Sequence, residues 1–418
     1  MTRPVIGTIA ARVAIAAMNL LLVAVAARSL GLADVGRMSL VVLAITLVLL
    51  LCHVVGGGGL VYLEPRHGTR TLRWVSYGWA AVACAIAGLL IGPLGLAPSG
   101  LGAYVIGLAF LQGLHGIHLS LLLGRERFGT HNAVQVGRTV TLVVAFAALL
   151  RIGDASLMDF IHATAIADAA TVVVSGALLV RLPAQASDPA RALIALIRQG
   201  LPAQAANTLQ LLNYRLSYYL LQGFQGATAL GLWSISTQLA ESAWLAPKSL
   251  GSVLYAKVSN LQERDRQRDL TLAVMKVSMA IAALTAGVLM LLPEGLFEWV
   301  FGPEAKGIGR LIMLMAPGLL SMAASQALSH FMSGSGRVLH NTIGSALGLV
   351  ATLAIGYTLI PGQGADGAAI TASAAYTLGV IYQYLVFSRI TGARLKHVLP
   401  NRQDGERVAK AWRRFAGG

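Results

Sequence analysis

Twelve apolar runs, each about as long as a bilayer core is thick, follow one another along this chain with only short charged or Gly/Pro breaks between them. They cover residues 5–27, 38–61, 74–91, 101–122, 133–150 and 157–180, then 200–221, 228–256, 270–292, 308–332, 338–360 and 367–388. Lipid offers no hydrogen bonds, so a spanning backbone must pair its own groups as helices or as a closed barrel. A barrel would show strands of about ten alternating residues. The runs here are continuous and twice as long, so they predict an all-α polytopic membrane protein. Only 12% of the 418 residues are charged and 56% are hydrophobic, whereas about a quarter of an ordinary soluble domain is charged. No sizeable soluble domain fits beside twelve spans.

The first run, Val5 to Ala27, exceeds a signal-peptide core and lacks a cleavage site, so it is expected to stay as a helix. Cys52 and Cys84 both fall inside spans and read as small hydrophobes, since two cysteines make neither a disulfide framework nor a metal site.

Basic residues set the orientation. The segments on one side hold 22 Lys/Arg, among them Arg66, Arg70, Arg73, Arg125, Arg127, Arg337 and eight from Arg389 to Arg414; the opposite segments hold Arg28, Arg37, Arg151 and Lys306. The positive-inside rule places the first group, with both termini, in the cytoplasm. The same asymmetry accounts for the net charge of +15, and nucleic acid is not implied. Two basic segments read as helices lying on the cytoplasmic surface: Pro189 to Arg198, after the N-cap Asp188, and the tail around Val408, Trp412 and Phe415 with Arg407, Lys410, Arg413 and Arg414.

The chain repeats itself. Gly31-Leu-Ala-Asp-Val-Gly36 with Ser39 and Gly226-Ala-Thr-Ala-Leu-Gly231 with Ser234 share a spacing 195 residues apart, and His131-Asn132 and His340-Asn341 precede equivalent runs. Six spans fall on each side of residues 181–199. The predicted organisation is an N-terminal lobe (1–180), a cytoplasmic linker (181–199), a C-terminal lobe (200–388) and a basic tail (389–418). Repeats with an even span number share one orientation, and proteins built this way keep a central cavity between the lobes.

Charge inside a span costs roughly 2.5 to 3.5 kcal/mol at the bilayer centre and persists where it meets a partner or water. At 100° per residue Gln204, Asn207, Arg215, Tyr218 and Gln222 lie within about 80° of each other, with Tyr214 at the edge. Ser234, Thr237, Gln238, Glu241, Trp244, Lys248, Ser252 and Tyr255 form a second stripe. Two readings stand for Arg215 and Glu241: an ion pair that locks the lobe, or a lining in which Arg215 meets an anionic head group and Glu241 tunes the field or takes a proton. The first half offers Arg12, Arg138 and Asp168, the last on a face with Thr164, Thr171 and Ser175. His115 and His118 share one side of a helix and titrate near neutral pH when unperturbed; with no third ligand they do not make a metal site. The run Gly56 to Gly59 is expected either to loosen its helix or to admit close packing. Nucleotide-binding loops, a nucleophile elbow and HExxH are all lacking from the sequence, so neither an enzyme nor a cofactor is expected, and energy must come from ion coupling, a gradient or a partner.

Arg28-Ser-Leu-Gly-Leu-Ala-Asp-Val-Gly36, Asn213-Tyr-Arg-Leu, Leu230-Gly-Leu-Trp-Ser-Ile-Ser-Thr-Gln-Leu-Ala-Glu241 with Trp244 and Pro247, Phe301-Gly-Pro-Glu304 and Gly364-Ala-Asp-Gly-Ala-Ala369 resemble the polysaccharide-biosynthesis, O-antigen-type flippases of the multidrug/oligosaccharidyl-lipid/polysaccharide (MOP) exporter superfamily. The resemblance implies a V-shaped, MATE-like pair of six-helix lobes in a bacterial inner membrane. It implies a monomer that moves an undecaprenyl-pyrophosphate-linked oligosaccharide to the outer leaflet, with the lipid tail in the bilayer and polysaccharide polymerase or assembly proteins as partners. It makes Arg215 the leading anion contact, followed by Arg12 and Arg138, with Asn207, Gln204, Tyr218, Gln238 and Lys248 around the substrate and Glu241 and Asp168 as the acids for proton or ion coupling. Many relatives continue Asn-Tyr-Arg-Leu with Asp where this chain has Ser217. The alternatives are a cation-coupled multidrug exporter of the same superfamily, a lipid II flippase, disfavoured because that branch usually has fourteen spans against the twelve expected here, and, from another class, a membrane glycosyltransferase or polymerase. The latter normally carries large outer loops, and the longest outer loop expected here is Pro293 to Gly307.

Overall fold

The structure, a computed structural model, describes residues 2–180, 187–261 and 263–398. The expected tail anchor around Trp412 and residues 181–186 of the linker lie outside the described residues. The chain runs as α1 (Thr2–Leu30), α2 (Leu32–Gly56), a short α3 (Gly58–His67), α4 (Thr69–Ile91), α5 (Gly102–Gly124), α6 (Phe128–Leu149) and α7 (Leu157–Val180). It continues as α8 (Pro189–Glu241), α9 (Leu245–Asn260), α10 (Arg264–Leu291), a short α11 (Glu294–Phe301), α12 (Ile308–Gly334) and α13 (Leu339–Thr391). No strand occurs among the described residues, and nine of their helical segments are long and apolar enough to cross a membrane.

Helices α8 and α13 each have 53 residues, which laid straight would reach about 80 Å, more than twice a hydrocarbon core. Each leaves helical geometry at one glycine, Gly226 (φ 82°) and Gly364 (φ 56°), where positive φ excludes most other residues. Beyond Gly364, Asp366 pairs with Arg310 of α12 at 2.7 Å.

The repeated Gly-x4-Gly motif acquires a physical meaning. Gly31 (φ 81°) ends α1 as Gly226 bends α8. Five residues on, Gly36 and Gly231 lie against one another's helix in a reciprocal crossing. A Cβ on Gly36 would stand 2.1 Å from the Ala227 carbonyl oxygen, and one on Gly231 would stand 1.9 Å from that of Leu32. Both obstructions are backbone, so neither yields, and only glycine permits this approach.

A second repeat is written in hydrogen bonds. Between α5 and α6, the amides of Arg125, Glu126 and Arg127 donate to the carbonyls of Leu121, Leu123 and Leu122; between α12 and α13, those of Ser335, Gly336 and Arg337 donate to Phe331, Ser333 and Met332. Each bond has its twin 210 residues on. The left-handed position is Glu126 (φ 57°) in one turn and Gly336 (φ 76°) in the other.

At Gly57 the path breaks between α2 and α3, and Gly56 packs so closely on Ile117 that a Cβ would sit 2.9 Å from its Cγ1. The glycine run therefore loosens the helix and admits a neighbour at once. Farther along, the segment expected as a separate surface helix is corrected: Pro189 to Arg198 forms the first turns of α8 and runs into it without a break. Ala192 and Leu196 are fully buried in the core with Val54, Val55 and Leu60, and a Cβ on Gly200 would lie 1.9 Å from the Val54 oxygen. Part of its apolar face is thus taken by protein, while Ile194 stays exposed. Ser187 secures the approach, exchanging hydrogen bonds with Thr71 and donating to the His67 carbonyl at 2.5 Å.

The expected outer loop Pro293 to Gly307 is likewise largely helical, through α11 and a turn at Pro303–Ala305, and two of its glutamates hold the starts of other helices. Glu294 accepts from the Gly307 amide at 2.9 Å and Glu304 from the Leu32 amide, the first of α2, at 3.1 Å. Cys52 and Cys84 are free and buried, their sulfurs 3.9 Å apart.

By compactness the chain divides into two interleaved units. One holds the residues up to Leu211 with Gln225–Ser234 and Phe297–Ala305; the other holds Leu212–Phe224, Ile235–Leu296 and the residues from Lys306. In the first, α5 packs on α2, α4 and α7, and α6 on α1 and α7; in the second, α12 packs on α9, α10 and α13.

Candidate functional site

The polar stripes of α8 meet in the second unit. Glu241, at the end of α8 beyond the Gly226 bend, faces back toward Arg215, and Arg215 Nη2 donates to Glu241 Oε2 at 2.7 Å. Arg215 Nη1 donates to the Tyr218 hydroxyl at 3.1 Å, and the guanidinium carbon lies 5.2 Å from the Tyr218 ring centroid. The Tyr218 and Thr237 hydroxyls are 2.8 Å apart, both buried. One tyrosine thus holds the arginine through its hydroxyl and its π face, leaving the rest of the guanidinium fork for Glu241.

The pair is formed and yet not sealed. Arg215 keeps 26% and Glu241 22% of its side-chain surface exposed, while Glu241 Oε1 is itself buried and has no hydrogen-bond partner. Beside it Tyr214, Trp244 and Tyr376 form a triangle of aromatic rings with centroids 5.5 to 6.1 Å apart, and Trp244 Nε1 donates to the Leu319 carbonyl at 3.3 Å. Tyr376, from the part of α13 beyond Gly364, has no sequence signal linking it to Arg215. Only the fold brings it there.

The first unit brings together Arg138 and Asp168, expected from sequence in separate roles. Arg138 Nε donates to Asp168 Oδ1 at 2.5 Å, Asp168 is fully buried, and Gln112 of α5 faces the same carboxylate. Each is the other's counter-ion. A second charged cluster, unforeseen because its members read as orientation charges, joins Glu64 of α3 to Arg125 and Thr69. Glu64 is 4% exposed, its carboxylate accepts from the Arg125 guanidinium, and Thr69 Oγ1 donates to it at 2.6 Å.

The remaining candidates spread out. Gln204 is buried near Gly57 and accepts from Asn207 Nδ2 at 3.2 Å, both in the first unit. Arg12, Gln238 and Lys248 are exposed on their helices. Gln222 Oε1 is buried without a partner. His115 and His118 are buried, the latter held by Tyr77 and Ser175. No group of three His, Cys, Asp or Glu side chains suited to a metal ion occurs among the described residues.

No family model and no curated protein sequence matches this chain. Solved structures do. The chain superposes on the lipid II flippase MurJ in an inward closed conformation with a TM-score of 0.72 at 12% identity, covering 92% of this chain and 87% of that one. It also matches an inward-facing multidrug resistance MATE family transporter of the MOP superfamily (TM-score 0.70, 15% identity, 90% and 94% covered). A third match is the MATE multidrug transporter DinF-BH (TM-score 0.68, 15% identity, 93% and 95% covered). The chain shares the fold of these MurJ and MATE structures and is a multi-pass membrane protein.

Proposed function

We propose that this protein is a flippase for an isoprenoid-pyrophosphate-linked oligosaccharide in a bacterial inner membrane, working by alternating access of the lobes 1–180 and 200–388 with both termini in the cytoplasm. One observation carries the reading: the Arg215–Glu241 pair, within an otherwise apolar stretch, retains accessible surface on both partners. A planar guanidinium held over Tyr218 suits bidentate capture of a phosphate, and an incoming pyrophosphate competes with Glu241 for the same fork. The exposed Lys248 and Gln238 on the second stripe supply further polar contacts for sugar or phosphate. Arg12 offers an exposed cation, whereas Arg138 reaches an anion only by leaving Asp168. Partners of this reading are the lipid-linked glycan, bilayer lipid, and a polysaccharide polymerase or assembly protein that takes the product.

The test has two arms. Deleting the gene in its host is expected to abolish surface glycan and accumulate its lipid-linked precursor on the cytoplasmic side; unchanged pools overturn the reading. In vesicles, the purified protein should move a fluorescent polyprenyl-pyrophosphate glycan between leaflets, and Arg215→Ala should not.

A second reading has its own observation. The aromatic triangle of Tyr214, Trp244 and Tyr376 beside the unpartnered Glu241 oxygen is chemistry for an organic cation. A multidrug exporter would extrude a planar cationic dye in a Glu241-dependent manner, with no effect of the protein on the lipid-linked glycan.

A further inference from the structure

The first unit contains a hydrogen-bonded chain that takes no part in the flippase reading. His118 of α5 is 2% exposed and lies between two hydroxyls: its Nε2 meets the Tyr77 hydroxyl of α4, and its Nδ1 meets Ser175 Oγ of α7 at 2.7 Å. Ser175 has one hydrogen, which it donates to the Thr171 carbonyl at 2.5 Å. Its oxygen can therefore only accept from His118, which places a proton on Nδ1 and leaves the Nε2 lone pair to accept from Tyr77. The chain has a direction: Tyr77 O–H to His118 Nε2, His118 Nδ1–H to Ser175 Oγ, Ser175 O–H to Thr171 C=O.

Such a node accepts one proton without losing a bond. With Nε2 protonated, the imidazolium donates to both hydroxyl oxygens and Tyr77 turns its own hydrogen away. Tyr77 is only partly buried, in edge contact at 5.6 Å with Trp74, which is 60% exposed, so the chain begins near the surface and ends in the core. One turn away His115 is 7% exposed and its Nδ1 has no partner.

The groups facing the two histidines come from every helix packed on α5. Arg73 and Tyr77 belong to α4, His131 and Arg138 to α6, Ser175 and the Arg138-paired Asp168 to α7. His53 of α2 lies against Gly116, and Glu64 of α3 is committed to Arg125. The unpaired charge around the node is positive, from Arg73. A proton added to His118 places a second positive charge there, away from water. The two bonds survive protonation, but the added charge beside Arg73 in a buried place disfavours the packing of α4, α5 and α7 on His118.

We propose that Tyr77, His118 and Ser175 form a proton-binding site whose occupation loosens the α4–α5–α7 packing, making the first unit a proton-sensitive element separate from the Arg215–Glu241 site. The ligand is a single proton, delivered through Tyr77. The proposal goes beyond the flippase reading and does not depend on it.

The test needs no transported substrate. Full-length protein in phosphatidylethanolamine/phosphatidylglycerol nanodiscs is followed by hydrogen–deuterium exchange between about pH 5 and 8, the range of an unperturbed histidine, with rates corrected for intrinsic exchange. Peptides over Tyr77, His118 and Ser175 are expected to exchange about fivefold faster at the acid end, a local opening free energy change of about 1 kcal/mol. His118→Gln, which keeps one donor and one acceptor but does not titrate, should remove that acid response. Tyr77→Phe, which leaves Nε2 without its donor, should move the midpoint, and Glu241→Gln should leave the response in these peptides in place. A His118→Gln protein with the full acid response, or a response lost in Glu241→Gln instead, overturns the proposal. If His118→Gln does not fold, Tyr77→Phe decides: an unmoved midpoint overturns it.

Discussion

Two Arg–carboxylate pairs of nearly equal length stand inside the membrane-spanning part of this protein, and their surroundings separate them. Arg138–Asp168 (2.5 Å) closes over a carboxylate with no exposed surface, on helices α6 and α7 that pack along their length. Arg215–Glu241 (2.7 Å) leaves 22% of its carboxylate side chain exposed. The arginines are alike, 23% exposed for Arg138 and 26% for Arg215, and each carboxylate keeps one buried oxygen without a partner, so the pairs differ in how far the carboxylate is shut away from solvent. Coulomb attraction is similar in both. Desolvation is not, and desolvation decides whether a pair can be exchanged for a ligand. Separating the first pair strands the Asp168 carboxylate in a dry interior, whereas Glu241 keeps exposed surface where solvent can meet it.

The comparison breaks most visibly at Asp168. Arg138→Ala strands the fully buried Asp168 carboxylate and should cost about 3 to 5 kcal/mol, seen as loss of folded protein from membranes and a lowered Tm. The double change Arg138→Met/Asp168→Leu should recover most of it. If Arg138→Ala folds normally, the first pair is not sealed and the contrast fails. Next in size is Arg215→Ala, with membrane abundance kept, a stability cost of about 1 kcal/mol and flipping lost. Arg215→Lys sharpens the point, because it keeps the charge but not the fork over Tyr218, and should recover folding without full transport. Smallest is a change away from both pairs. Glu126 holds the left-handed position that Gly336 fills in the twin turn, so Glu126→Gly should raise stability by up to about 1 kcal/mol, read as a small rise in Tm.

The helical character of the chain, the glycine positions and the list of charges inside spans were legible in the residues, because a bilayer imposes one long apolar period and leaves every exception conspicuous. Helix bounds were not, since Pro189–Glu241 runs on through the expected linker and 228–256 is interrupted at Ser242–Trp244. The Gly31/Gly226 correspondence was legible too; its reason, two backbones touching at Gly36 and Gly231, was not. Partners were harder. Arg138 and Asp168 read as an anion contact and a coupling acid, yet they neutralise each other, since helical periodicity reports a face and not what the face meets. Pro189 to Arg198 showed an amphipathic pattern that fits lipid and protein equally, and the neighbouring core of Val54, Val55 and Leu60 claimed it.

The sequence by itself determined that the chain is a helical membrane protein built twice from one plan, and which of its residues are too polar to face lipid. Only the tertiary structure decided which of those residues are spent on each other and which keep exposed surface. Hydropathy and period are local properties, readable along one helix. Burial of a charge depends on side chains brought from distant turns, as Tyr376 is to Arg215 and Tyr77 and Ser175 are to His118.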